Sequence, residues 1–212
     1  MRFLDDVFHM TRLARLKFND PAPDIELSDI EGAPVRLASL WQKQALVLAF
    51  TRHFGCPQCK EMMDTLANAA PEVQSVGLRL AFVTQGLPEE TRAFCEERVP
   101  GQLCLADPAR EAYRAYGLER ASIWQTFFSW RVWQSNKRLK QERGWKTDFP
   151  PAGQDTMQLA GTFVIGSDGR IRMPYYYDDI ADHPPVDLLL HGVMGMDWNQ
   201  PFEGPVKPSL VE

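Results

Sequence analysis

Long apolar runs are missing from this 212-residue chain. No stretch approaches the roughly 20 apolar residues that a membrane-spanning helix needs, so no span is expected. Cysteine is scarce: the four residues at 56, 59, 95 and 104 are too few for a secreted disulfide scaffold. A surplus of positive charge is missing too. Against 28 Asp and Glu stand 23 Lys and Arg, a net charge of −5, which disfavours a nucleic-acid partner. The opening stretch, MRFLDDVFHMTRLARLKF, has charges scattered through its apolar positions and so lacks a signal-peptide core. It reads as an amphipathic helix, and the expected location is cytoplasmic. What is present is an ordinary globular balance, 44% hydrophobic and 24% charged, which excludes a disordered chain, a collagen-like fibre and a coiled coil. One domain over 1–212 is expected, with a core at about 20–192 and a loose tail at about 197–212.

The apolar patterning alternates between strand and helix. IELSDIEGAPVRLASL reads as a hairpin turning at Glu31-Gly32, and ALVLAFTR (45–52) is an unbroken apolar strand, as expected when both faces are buried. From Pro57 the pattern becomes helical through Met62, Leu66 and Ala69/Ala70. Strand 78–86, helix 88–99, strand 102–107 and helix 108–118 follow. GTFVIGSDGRIRMPYYY forms an antiparallel hairpin at Ser167-Asp168-Gly169, and 186–196 is a closing helix. This order predicts an α/β fold with parallel crossovers. A strand running into a Cys-x-x-Cys helix, with a terminal hairpin and helix, is a thioredoxin-like arrangement.

Cys56-Pro57-Gln58-Cys59 falls at the junction of a buried strand and a helix. Backbone N–H groups at a helix N-terminus stabilise a thiolate, so Cys56 is the expected exposed attacking thiolate. Cys59, one turn deeper, is the expected resolving thiol. Arg52 and His53 stand ready to add positive charge. Cys95, mid-helix, and Cys104, on a short apolar strand, read as core residues. His53, Cys56 and Cys59 offer three soft metal ligands, but no second Cys-x-x-Cys or His pair completes a zinc site, so no metal is expected.

FTRHFGCPQC, DPAREAYRAYGL, QLAGTFVIGSDGRIR and ADHP together resemble the peroxiredoxin-like branch of the AhpC/TSA family over roughly 20–192. The resemblance implies a central mixed thioredoxin-like sheet flanked by helices, and thiol-based antioxidant chemistry on peroxides or disulfides. It implies no bound cofactor, only an external thioredoxin- or glutathione-type thiol donor. Cys56 occupies the peroxidatic position. Peroxiredoxins carry Thr three residues before it, where this chain has His53, and Pro seven before it, where this chain has Ala49. They also carry Arg immediately before the Thr-Phe-Val strand, where this chain has Gly161. In such a fold Gly161 and Thr162 lie beside Cys56, and the hairpin returns Tyr175 and Tyr177 to the same edge as candidate substrate-lining residues. His183, in Ala-Asp-His-Pro, reads as a loop residue or a general acid.

Residues 121–156 interrupt this pattern with an aromatic and basic insertion. Residues 120–146 hold seven Lys and Arg against one acid, Glu142. Trp124, Phe127, Phe128 and Val132 share a helical face that Trp130 and Trp133 widen. One reading packs this helix on the body or on a second copy in a homodimer. Another makes it a lid over Cys56, with Trp124 and Phe128 lining the substrate path. Contact with a membrane surface ranks lower, and nucleic acid lowest. The alternative for the whole chain is a non-catalytic thioredoxin-like binding module.

Overall fold

The computed structural model describes residues 14–122, 129–192 and 197–200. Seven strands form one sheet, β1 (Glu26–Asp29), β2 (Pro34–Arg36), β3 (Ala45–Phe50), β4 (Leu78–Thr84), β5 (Leu103–Ala106), β6 (Gly161–Ile165) and β7 (Ile171–Tyr176). Their spatial order is β2-β1-β5-β4-β3-β6-β7. β3, β4 and β5 run parallel, while the flanking pairs are antiparallel.

All six residues of β3 are buried, and their alternation divides them between two cores. Ala45, Val47 and Ala49 join Met62, Met63, Phe82 and Leu189 on one face. Leu46, Leu48 and Phe50 join Tyr113, Tyr116 and Phe163 on the other. A strand covered on both faces has no polar side, which is why it reads as a continuous apolar run.

The helices are α1 (Ala38–Trp41), α2 (Pro57–Asn68), α3 (Ala70–Ser75), α4 (Pro88–Arg98), α5 (Glu111–Ala115), α6 (Trp130–Arg143) and α7 (Val186–His191). Two departures have a local cause. The helix expected to run through Ala69/Ala70 stops at Asn68 and restarts as α3, with a proline in its opening positions. Pro71 lacks an N–H, so it suits a first turn and not a helix interior. α1 breaks the end of the first hairpin and buries Leu40 and Trp41. The N-terminal helix lies outside the described residues except for 14–18, which are not helical.

α6 corrects the reading of the insertion. It buries Val132 and Leu139, whereas Trp130 and Trp133 are 64% and 53% exposed. Polar anchors hold the helix to the body. Arg138 donates to both carboxylate oxygens of Glu61 at 2.7 and 2.8 Å, and Arg143 to Asp64 at 2.9 Å. Trp145 lies against the guanidinia of Arg98 and Arg143, each 4.8 Å from its ring centroid, and beyond it the chain crosses back over the start of α2 at Asp148.

Candidate active site

The site is built where β3 runs out. Thr51, Arg52 and His53 stay buried beyond the last strand residue. The Thr51 N–H donates to Val83 O, and the Tyr113 hydroxyl donates to Thr51 O at 2.8 Å. The side chain of Gln85 donates to Arg52 O. The chain then turns through a Cys56 N–H to His53 O hydrogen bond of 3.0 Å. Cys56 is the N-cap of α2, in extended conformation, with Pro57 opening the helix. Its sulfur accepts from the Cys59 N–H at 3.4 Å. The cap position usually held by Ser or Asp is therefore held by a sulfur, and the helix terminus favours the anion.

Arg52 completes the anion site. Its Nε donates to Gln158 O at 2.9 Å and its Nη2 to Thr156 O, which leaves Nη1 aimed at the Cys56 sulfur, 3.5 Å away. Burial by itself pushes the Cys56 thiol up. The hydrogen bond from the Cys59 thiol, the Arg52 charge and the Cys59 N–H outweigh burial and hold the pKa at about 6. Cys59 moves the other way: burial, its hydrogen bond to Cys56 and the charge on Cys56 push it well above the ordinary thiol value. Two thiols three residues apart thus take opposite characters, a low-pKa thiol and a protonated partner. Both are free.

Two expectations are overturned. Cys56 is not exposed: it is 1% accessible, because the insertion crosses over it. Nor does His53 add charge. Burial and the neighbouring Arg52 hold its pKa at about 4, so it is neutral at pH 7, and its Nδ1 is buried without a partner. The cation comes from Arg52 alone of that pair. Arg52 also brings a guanidinium to the sulfur in a chain that has Gly161 where peroxiredoxins carry their Arg.

The cover is specific. The Asp148 N–H donates to Gly55 O at 3.0 Å, and a Cβ on Gly55 would sit 1.8 Å from Asp148 O. The Phe54 N–H donates to Gln154 Oε1, and the Asp155 N–H to Gln85 Oε1. Between the cysteines, Gln58 donates to Asn136 Oδ1 on α6 at 2.7 Å. A cavity of about 270 Å³ lies under this cover, with Arg52, His53, Asn136, Phe149, Met157 and Ile180 in its wall. Gln58, Gln85 and Gln158 had no pattern to mark them, since their roles come from groups remote in sequence: α6 side chains for Gln58 and backbone groups for the other two.

The other candidate residues divide. Tyr177 is buried, its hydroxyl 2.8 Å from Thr162 Oγ1, and it shares a water-sized space with Cys59, Asp182 and His183. Gly161 faces Leu118 and the Tyr175 carbonyl, and Tyr175 bonds Asp182; neither lines that space or the larger cavity. Trp124 and Phe128 lie outside the described residues. Cys95 and Cys104 are buried as expected, but they are joined to each other in a disulfide. Among the described residues no group of three or more His, Cys, Asp or Glu could hold a metal, and no helix is long and apolar enough to cross a membrane.

Comparison with known proteins fits this geometry. Peroxiredoxin-like 2C of Bos taurus is 25% identical over 195 residues, 89% of this chain and 83% of that protein. A prostamide/prostaglandin F synthase of Salmo salar is 24% identical, over 76% of this chain and 80% of that protein. Among solved structures, peroxidoxin BcpB of Mycobacterium tuberculosis superposes with a TM-score of 0.61 at 20% identity, covering 83% of this chain and 95% of that one. The mixed sheet with its strand-to-helix cysteine is thus the thioredoxin-like fold of peroxiredoxins. The AhpC/TSA family model matches residues 18–173, and the chain belongs to the AhpC/TSA family, as a peroxiredoxin-like member with a thiol-redox function.

Proposed function

We propose that the chain reduces peroxides through Cys56 and Cys59. The carrying observation is the Cys56 sulfur held by the Arg52 guanidinium and the α2 N-terminus. The Cys56 thiolate attacks one peroxide oxygen and the O–O bond breaks. The leaving alkoxide or hydroxide takes a proton, and Cys56 becomes a sulfenic acid. Arg52 faces the charge that moves from sulfur to oxygen. The Cys59 sulfur then attacks the sulfenic sulfur, water departs with the thiol proton, and an intramolecular disulfide remains. An external dithiol returns two electrons and two protons and leaves oxidised. A thiol with 1% accessibility favours a small peroxide over a protein disulfide as the oxidant.

The test is mass spectrometry of the reduced protein after a brief stoichiometric hydrogen peroxide pulse. Loss of two hydrogens mapped to Cys56–Cys59, and a trappable sulfenic acid in Cys59→Ser, are expected. An unmodified Cys56 overturns the reading.

A further inference from the structure

Cys59 has a task that its surroundings oppose. A sulfur attacks as the thiolate, yet burial and the charge on Cys56 hold the Cys59 thiol protonated. Cys59 is also only 4% exposed, so bulk water does not collect its proton and a base within reach is needed. The first step times the release. Once Cys56 is a sulfenic acid its charge is gone, and the Arg52 charge remains to favour a thiolate on Cys59. The Arg52 N–H, 3.3 Å from the Cys59 sulfur, faces the same charge.

Cys59 stands with Arg52, Tyr177, Asp182 and His183 in the wall of a space of about 10 Å³. That volume fits one water among polar partners. Most of these groups are engaged elsewhere. Arg52 gives its guanidinium to two carbonyls and the Cys56 sulfur. The Tyr177 hydroxyl lies 2.8 Å from Thr162 Oγ1, and burial pushes its pKa up. Asp182 accepts from the Tyr175 hydroxyl at 3.1 Å, the Asp178 N–H at 3.0 Å and Arg131 at 3.3 Å. Three donors on a carboxylate oppose its protonation.

His183 differs. It is half-buried, and its ring meets no hydrogen-bond partner among the described residues. Pro184 and Pro185 restrict the backbone that leads from it into α7. An imidazole exchanges protons near neutral pH, and partial exposure gives the proton a way out to solvent. His53 lines the larger cavity and not this space.

We infer that His183 is the base that takes the Cys59 proton, through a water in this space, as Cys59 closes the disulfide. This rests on the peroxide-reducing reading above, in which Cys59 attacks a sulfenic acid. The S–S bond forms, the S–O bond of the sulfenic acid breaks, and hydroxide departs. The imidazolium returns the proton to that hydroxide by way of solvent, so one water leaves and His183 ends neutral. The charged and titratable groups facing the imidazole are Arg52 after β3, Cys59 of α2, Tyr177, and Asp182, itself paired with Arg131 of α6.

The test follows both steps by rapid acid quench and mass spectrometry after a stoichiometric hydrogen peroxide pulse, between about pH 5 and about pH 8. In the parent, the step from Cys56 sulfenic acid to Cys56–Cys59 disulfide quickens as pH rises. In His183→Gln and His183→Asn that step is at least about tenfold slower at about pH 7, and its rise moves to alkaline pH, where the thiol ionises unaided. Sulfenic acid formation changes by less than about twofold. A disulfide step with the parent's rate and pH profile overturns the inference and leaves the peroxide reading standing. Slower closure with the parent's pH profile, or an equal slowing of both steps, marks a structural role for His183 and overturns the inference as well. A parent Cys56 that peroxide leaves unmodified brings down the peroxide reading and the inference with it.

Discussion

The Arg52 guanidinium reaches the Cys56 sulfur at 3.5 Å and meets no carboxylate among the described ion pairs. Its other contacts are neutral carbonyls, Gln158 O and Thr156 O. A buried cation without an acid is costly unless an anion forms beside it, and the Cys56 thiolate is that anion. The chain thereby couples the placement of Arg52 to the ionisation of Cys56.

Alkylation of Cys56 by iodoacetamide therefore has a pH midpoint near the held value of about 6. Arg52→Met removes the cation, so the midpoint moves up by about one to three pH units. Linkage has the same sign. The folded-state pKa lies below the unfolded thiol value of about 8.5. Stability tied to Cys56 is present above that value and is lost as pH falls toward about 6. Thermal melts of reduced protein show this slope, and Cys56→Ser removes it.

Cys59→Ala separates the two roles of the second thiol. The Cys59 thiol supports the Cys56 thiolate alongside the Arg52 charge. The variant therefore raises the Cys56 midpoint and also leaves the sulfenic acid without its attacking thiol. Dimedone labelling after peroxide persists in Cys59→Ala for longer than in the parent protein. A midpoint that stays put would show that the thiol–thiol bond carries no weight.

Gly55 has no room for a side chain, since its Cβ would lie 1.8 Å from the Asp148 carbonyl. Backbone on both sides leaves no flexible group to yield. Gly55→Ala pushes the 147–149 segment off the α2 terminus, at a cost of about 1–3 kcal/mol. Labelling of Cys56 by a bulky maleimide becomes faster while the small alkylating agent gains less. Equal rates with both reagents in both proteins would mean that the segment does not limit access.

The Cys95–Cys104 disulfide links positions nine apart in sequence, on α4 and β5. Losing it costs about 2–3 kcal/mol by the chain-entropy argument. Cys95→Ser melts lower than the oxidised parent, and its Cys56 alkylation midpoint is unchanged. Quantitative thiol counting on unreduced protein gives two reactive thiols after denaturation, those of Cys56 and Cys59.

The two-sided burial of β3 was legible from ALVLAF, because a strand covered on both faces tolerates no polar position. Cys56 at the head of α2 was legible too, because capping and the break at Pro57 are local effects. Trp130 and Trp133 were misread because helical spacing shows which residues share a stripe, while the docking partner decides which stripe is buried. Here Arg138 and Arg143 answer Glu61 and Asp64, and that pairing turns the tryptophans outward. Cys95 and Cys104 show the same limit: nine residues apart, on a helix and a strand, they meet only because α4 packs on β5. The sequence alone determined that a buried strand runs into a helix headed by Cys56, since strand patterning and capping are nearest-neighbour effects. Tertiary structure alone decided that Arg52 turns toward sulfur, that His53 is neutral and that the insertion covers Cys56. Burial and charge at those atoms are set by groups such as the Thr156 and Gln158 carbonyls, more than a hundred residues away in the chain.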